Sequence, residues 1–71
     1  MNNLYNIVFL NGKPVNCSVN ISLNELLIYY RINVNSIIVE YNRKILSADD
    51  FSSTVLKSED KIEIITIVGG G

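Results

Sequence analysis

The sequence predicts an α+β fold in which one helix lies across one face of a mixed sheet of four to five strands. Several short segments rich in Ile, Val, Phe and Tyr have the pattern of strands, whereas only one segment has the spacing of an amphipathic helix. The chain has 71 residues, of which 48% are hydrophobic and 18% are charged. This composition is typical of one compact globular domain.

The N-terminal part of the chain predicts a β-hairpin. The segments Leu4 to Leu10 and Lys13 to Val19 alternate as strands, and Asn11-Gly12 between them favours a two-residue turn. With that turn, three pairs lie opposite each other on the face that receives the helix: Val8 with Val15, Asn6 with Cys17, and Leu4 with Val19.

The helix is predicted to begin after Ser22. Glu25 follows three residues later, which is the spacing of a capping box. One apolar stripe at i, i+3, i+4 and i+7 then comprises Leu23, Leu26, Leu27 and Tyr30. Asn33 and Asn35 end the pattern after about three turns.

The second half of the chain predicts three more strands. They are Ser36 to Tyr41, a minor piece at Ile45-Leu46, and Lys61 to Val68. Between the last two, Ser47 to Phe51 favours a single helical turn with Phe51 facing inward. A hairpin, one helix and a long last strand are buried best as a β-grasp, with residues 1–68 in the domain and 69–71 as a flexible glycine tail.

One face of the predicted sheet carries apolar side chains that the helix does not cover. These side chains are Tyr5, Ile7, Phe9, Ile65 and Ile67. A large exposed apolar face favours a docking surface for partner proteins. The alternative is a slip of one residue in strand register, which would turn the same side chains inward.

Composition excludes several classes of function. The net charge is -1 and no basic stripe is present, which argues against nucleic-acid binding. The sequence has no histidine and one cysteine, so a thiolate–imidazole pair and a structural zinc site are both excluded. Cys17 alternates with two valines and is predicted in the core. We therefore expect no catalytic or metal site, and no secretory signal or membrane-spanning segment.

The carboxyl end is the most informative feature. Gly69, Gly70 and Gly71 can enter a narrow channel in any backbone conformation, because they have no Cβ atoms. The α-carboxylate of Gly71 is ionised at neutral pH and is a poor electrophile. Acyl chemistry at this group requires activation, for example by ATP, and a partner enzyme must supply it.

Four further segments of the chain are informative when taken together: Leu10-Asn11-Gly12-Lys13, Val39-Glu40-Tyr41-Asn42, Asp60-Lys61-Ile62-Glu63-Ile64 and Val68-Gly69-Gly70-Gly71. These segments resemble the ThiS family, the sulfur carriers of thiamine biosynthesis. The resemblance extends to length, element order and ending. One departure is Glu59, where many members have a glycine in the turn before the last strand.

The resemblance implies a ubiquitin-like β-grasp and a protein that is a co-substrate, not an enzyme. It implies that a ThiF-type enzyme uses ATP to adenylate Gly71, that a persulfide derived from cysteine desulfurase supplies sulfur, and that the resulting thiocarboxylate feeds the thiazole synthase ThiG. Val68, Gly69 and Gly70 would enter the partner sites. The implied compartment is a bacterial cytoplasm or a plastid stroma.

Three other functions fit the same residues. A MoaD-type carrier for molybdopterin synthesis shares the implied fold and the glycine ending. A ubiquitin-like modifier would join Gly71 to lysine side chains of other proteins. A plain interaction domain would keep its function without Gly70 and Gly71.

Overall fold

The computed structural model describes residues 4–67, which form five strands, one α-helix and two short 3-10 helices. The strands are β1 (Tyr5–Leu10), β2 (Lys13–Ser18), β3 (Ile37–Tyr41), β4 (Lys44–Leu46) and β5 (Lys61–Thr66). The α-helix, α1, spans Leu23–Tyr29, and the 3-10 helices span Val34–Ser36 and Ala48–Asp50. Met1 to Asn3 and Val68 to Gly71 lie outside the described residues.

The strands form one mixed sheet in the order β2-β1-β5-β3-β4. β1 and β5 are parallel, and the other neighbouring strands are antiparallel. The core lies between the sheet and α1. Its buried members are Val8, Cys17, Leu23, Leu26, Leu27, Val39, Phe51, Leu56 and Ile62. The predicted architecture, a mixed sheet with one main helix on one face, is confirmed.

The N-terminal hairpin has the predicted register. Val8 pairs with Val15 and Asn6 with Cys17, and the N–H of Val19 donates to the carbonyl of Leu4 at 3.2 Å. Asn11 and Gly12 both have positive φ, 49° and 81°, as a two-residue turn that matches the twist of the strands requires. The register slip considered as an alternative does not occur.

The N-terminus of α1 is capped as predicted. The Ser22 hydroxyl accepts a hydrogen bond from the N–H of Glu25, and the Glu25 carboxylate accepts one from the N–H of Ser22, both at 3.0 Å. These reciprocal bonds satisfy two donors that a helix start would otherwise leave unpaired.

The helix ends earlier than predicted, at Tyr29, and Tyr30 is its C-cap residue, with 40% of its surface exposed. The N–H of Ile32 donates to the carbonyl of Leu27, and the N–H of Arg31 donates to the carbonyl of Ile28. These two bonds form a Schellman motif, which requires positive φ at the residue that follows the C-cap. Arg31 adopts φ of 58°. A glycine at this position is the usual sequence signal of a helix end. Because Arg31 occupies it instead, the apolar stripe predicted a helix that continues past Tyr29.

The remaining elements follow the predictions closely. Phe51 is buried after the short helical turn, and Cys17 is in the core with 5% exposure. β5 ends at Thr66, whereas the predicted end, Val68, lies outside the described residues. Glu59 adopts φ of 70°, the conformation for which a glycine is usual.

Within residues 4–67, no helix is long and apolar enough to span a membrane.

The core position of α1 predicts that Leu27→Ala lowers the free energy of unfolding by about 2–5 kcal/mol, because Leu27 is fully buried and the smaller side chain leaves a cavity. Urea unfolding followed by circular dichroism measures the change. The matched control is Ile28→Ala, because the neighbouring Ile28 is 63% exposed and a change within about 0.5 kcal/mol is expected. Equal losses in the two variants would contradict the proposed packing of α1.

Candidate functional site

The five apolar residues predicted for docking share the face of the sheet that is opposite α1. Tyr5, Ile7, Ile65 and Ile67 are 62%, 48%, 52% and 49% exposed, and Phe9 is half-buried. Their neighbours along the strands, such as Val8 and Ile62, are buried against the helix. Side chains alternate between faces along a strand, so this arrangement follows from the alternation along β1 and β5.

The five residues do not form one continuous surface, contrary to the prediction. Phe9 pairs with Lys61 in the parallel ladder of β1 and β5. Ile65 is therefore six positions further along the sheet than Ile7, which corresponds to roughly 20 Å. Sequence reasoning aligned the strands by face but could not fix the offset between β1 and β5.

Two apolar patches result from this offset. The tail-distal patch consists of Tyr5, Ile7 and Phe9. The tail-proximal patch consists of Ile65, Ile67 and a residue that sequence reasoning missed, Ile38. Ile38 pairs directly with Ile65 across β3 and β5 and is 37% exposed. The predicted strand Ser36 to Tyr41 contains three consecutive apolar residues, Ile37 to Val39, so its pattern does not show which of them faces outward. Alternation along β3 turns the middle one, Ile38, away from the helix.

Charged residues border the tail-proximal patch. Glu40 and Glu63 are directly opposite each other across β3 and β5, next to the pair of Ile38 and Ile65. Two like charges at opposed positions destabilise a sheet. The two carboxylates favour partners with basic groups at the corresponding positions.

A buried carboxylate fixes the start of β5. Asp60 is 7% exposed and accepts hydrogen bonds from the Tyr41 hydroxyl at 2.5 Å, the Asn42 side-chain amide at 3.1 Å and the Lys57 N–H at 2.7 Å. These donors come from the end of β3, from the β3–β4 turn and from the loop before β5. The network therefore fixes β5 to its neighbours at one end, while the other end leads to the glycine residues.

Burial and the neighbouring Asp60 carboxylate raise the pKa of two groups in this region. The pKa of Tyr41 is raised to about 12, because burial, the hydrogen bond to Asp60 and the Asp60 charge all disfavour the phenolate. The pKa of the Cys17 thiol is also raised, mainly by burial and secondarily by the Asp60 charge. Cys17 is therefore held as a thiol in the core, as the sequence predicts, and does not present a thiolate nucleophile.

Residues 4–67 contain no cluster of acidic, cysteine or histidine side chains that could hold a metal ion. The predicted site residues Val68, Gly69, Gly70 and Gly71 lie outside the described residues. The described part of the site therefore consists of a firmly anchored strand, β5, with an apolar patch at its C-terminal end.

Comparison with known proteins decides the family. The sequence model of the ThiS family matches residues 8–71. The chain belongs to the ThiS family. The protein ycf40 of Pyropia yezoensis is 50% identical over 62 residues, covering 87% of each chain, and the sulfur carrier protein ThiS of Bacillus subtilis is 35% identical, covering 87% of this chain and 96% of its own.

The structural comparison gives the same family. The crystal structure of the thiamine biosynthesis protein ThiS from Geobacter metallireducens superposes with a TM-score of 0.80 at 28% identity, covering 92% of this chain and 99% of that chain. The fold is thus the ubiquitin-like β-grasp of ThiS proteins, and the chain is a ThiS-family sulfur carrier of thiamine biosynthesis.

One relative of this ThiS-family chain is much longer. A thiazole synthase of Magnetococcus marinus is 31% identical over 64 residues, which are 90% of this chain but 20% of that protein. A segment similar to this chain is therefore part of a thiazole synthase polypeptide.

The Tyr41–Asp60 bond predicts a loss of stability in alkaline solution. An unfolded tyrosine ionises near pH 10, whereas folded Tyr41 has a pKa of about 12. The folded state therefore retains the proton between these values. Its contribution to stability is complete below about pH 10 and is lost as the pH rises toward 12.

Urea unfolding of the wild type and of Tyr41→Phe at pH 9 and pH 11 tests this prediction. The wild type should lose more stability between the two pH values than Tyr41→Phe, because the variant has no ionisable side chain at position 41. Tyr29→Phe is the matched control, because Tyr29 is 74% exposed, and it should behave as the wild type. A pH dependence that is the same in Tyr41→Phe and in the wild type would show that Tyr41 does not contribute.

Proposed function

We propose that Gly71 carries sulfur as a C-terminal thiocarboxylate and delivers it for thiazole formation. The observation that carries the proposal is the position of Gly71, four residues after Ile67, in a chain of the ThiS family whose β5 ends beside an exposed apolar patch. The protein acts as a co-substrate, and the partner enzymes supply the catalytic groups. Gly69 and Gly70 keep the approach to the reacting carbonyl free of side chains.

The proposed chemistry begins with activation of the carboxylate. A ThiF-type enzyme binds ATP, a carboxylate oxygen of Gly71 attacks the α-phosphorus, and pyrophosphate leaves. The product is a mixed anhydride whose carbonyl carbon is a good electrophile. A persulfide derived from cysteine desulfurase then attacks that carbon, and AMP leaves.

Release of the thiocarboxylate requires a thiol. The attack of the persulfide gives an acyl disulfide, in which the acyl sulfur is bonded to the sulfur of the donor protein. A second thiol attacks the donor sulfur, the S–S bond breaks, and the acyl sulfur leaves as the thiocarboxylate. No oxidant is consumed, since the thiol and the donor sulfur end as a disulfide.

The proposed acceptor of the sulfur is a ThiG-type thiazole synthase. The Magnetococcus marinus relative supports this partner, because one polypeptide there combines a thiazole synthase with a segment similar to this chain. A bacterial cytoplasm or a plastid stroma is the proposed compartment, and relatives from both sources fit it.

We assign partner contacts to the residues predicted from the sequence, now divided into two patches. An extended chain covers at most about 3.6 Å per residue, so Gly71 lies within roughly 14 Å of Ile67. An enzyme that acts on Gly71 must therefore come close to Ile65 and Ile67. Tyr5, Ile7 and Phe9 lie further from the reacting group and would contact a more distant part of a large partner.

Changes at Gly71 should abolish sulfur transfer and leave folding intact, because a terminal tail contributes little packing. Both removal of Gly71 and addition of one alanine after it displace the carboxylate from its required position. Intact-mass spectrometry after incubation with ATP, a ThiF-type enzyme and a persulfide donor measures replacement of one oxygen by sulfur. Transfer to either variant would contradict the proposal, and products joined to lysine would indicate a modifier instead.

The tail-proximal patch predicts that Ile65→Ser raises the KM for activation about tenfold or more without a large change in kcat, because an apolar contact with the enzyme is lost. Pyrophosphate release measures both constants. The matched control is Ile45→Ser on edge strand β4, where Ile45 is 75% exposed and is not part of either patch. Equal effects at the two positions would show that the patch has no special role.

A further inference from the structure

The sheet has an open notch beside the C-terminal half of β5. β1 pairs with β5 only at Phe9 with Lys61 and at Leu10 with Ile62. The chain then turns at Asn11 and Gly12 to form β2 and moves away from β5. β5 continues to Thr66, so its last residues have β3 on one side and no strand of the described chain on the other.

Asn11 ends the β1–β5 ladder. Its N–H donates to the carbonyl of Ile62 at 2.8 Å, and its side-chain oxygen accepts from the N–H of Ile64 at 2.6 Å. The side chain thus takes the place of one further strand residue. No other hydrogen bond joins the Asn11 side chain to the described residues of β5.

The backbone groups left in the notch follow from the alternation of the ladder. The N–H of Ile67 donates to the carbonyl of Ser36, the residue just before β3, so the odd-numbered residues of β5 direct their backbone groups toward β3. The even-numbered residues point toward the side of β1. The Ile64 carbonyl and both the N–H and the carbonyl of Thr66 therefore face the notch, in register for an added strand.

We infer that this notch binds an extended segment of the enzyme that activates Gly71, which pairs with Ile64 and Thr66 as an additional strand. This inference rests on the proposed function. Strand addition of this kind aligns a chain through its backbone groups. Pairing at Thr66 extends the anchored geometry of β5 toward Gly71, five residues later, and so directs the carboxylate to the enzyme.

The position of the notch selects this occupant. An enzyme that acts on Gly71 must lie within reach of residues 68–71, and the open groups of Thr66 are the last in the ladder before them. Three residues are too few to reach the notch from Leu4. Leu4 is ten positions away along the sheet, roughly 33 Å by the register of Phe9 with Lys61, whereas residues 1–3 span at most about 11 Å.

A chain with N-methylated Thr66 tests the inference. The single cysteine, Cys17, permits its assembly by ligation of two peptides. The methyl group removes the notch-facing donor, and we expect at least a tenfold rise in the KM for activation with kcat changed less than twofold. The control is N-methylation of Ser18 on the outer edge of β2, whose N–H also points away from its partner strand, since the N–H of Val19 bonds to Leu4. This control should retain the wild-type KM.

The possible outcomes distinguish a failure of the proposed function from a failure of the notch assignment. Unmodified chain that is never activated by a competent ThiF-type enzyme would overturn the proposed function. Normal activation of the unmodified chain together with a wild-type KM for the N-methyl-Thr66 chain would overturn the notch assignment alone. A dimer of the unmodified chain in sedimentation, dissociated by methylation at Thr66, would assign the notch to a second copy and overturn the enzyme as its occupant.

Discussion

The parallel pairing of β1 with β5 is the interaction on which the other features of this protein depend. It connects the N-terminal hairpin to the antiparallel strands of the second half, and its bonds include the one from the N–H of Phe9 to the carbonyl of Asp60 at 2.8 Å. The pairing is short, because only two residue pairs form. Side chains support it at both ends: the buried Asp60 network at the start of β5, and Asn11 where the ladder stops. Val8 and Ile62 are fully buried together in the core that results.

The short ladder also organises the functional surface. Because β1 and β5 are offset, the apolar residues on the outer face divide into a patch beside the C-terminal end of β5 and a second patch, whose middle residue Ile7 lies roughly 20 Å from Ile65 along the sheet. For the same reason β5 extends past β1, and among residues 4–67 no strand lies beside its last residues on that side. A longer ladder would join the patches and close the notch. β5 is thus held rigidly within the sheet, and it has an exposed edge at the end that leads to Gly71.

Two acidic residues determine which charge a partner should carry beside the tail-proximal patch. Glu40 and Glu63 are opposed at the border of the tail-proximal patch, at a cost to the sheet that opposite charges would not have. A partner that presents basic groups there relieves the repulsion between Glu40 and Glu63 on binding. The binding free energy is then more favourable than it would be with two neutral residues at these positions. The proposed reacting group is also an anion, and a partner with a positive surface around its entrance attracts both.

The sequence by itself determined the elements and their faces. The capping box of Ser22 and Glu25, the turn at Asn11 and Gly12, and the alternation of Val8, Val15 and Cys17 are local patterns, and local backbone geometry is enough to interpret them. The glycine residues at 69–71 and the resemblance to ThiS likewise required no structure. Arg31 shows the limit of local patterns, because a non-glycine residue in the left-handed conformation carries no signal of a helix end.

Only the tertiary structure decided the offset between β1 and β5, the two patches and the notch. The two strands are separated by about 50 residues in the chain, and no turn connects them whose length could fix their register. Their alignment is set by the packing of Val8, Val39 and Ile62 beneath α1 and by the bonds of Asn11 and Asp60. These contacts exist only when distant segments meet, so alternation along each strand predicts which face a residue occupies but not which residue lies beside it.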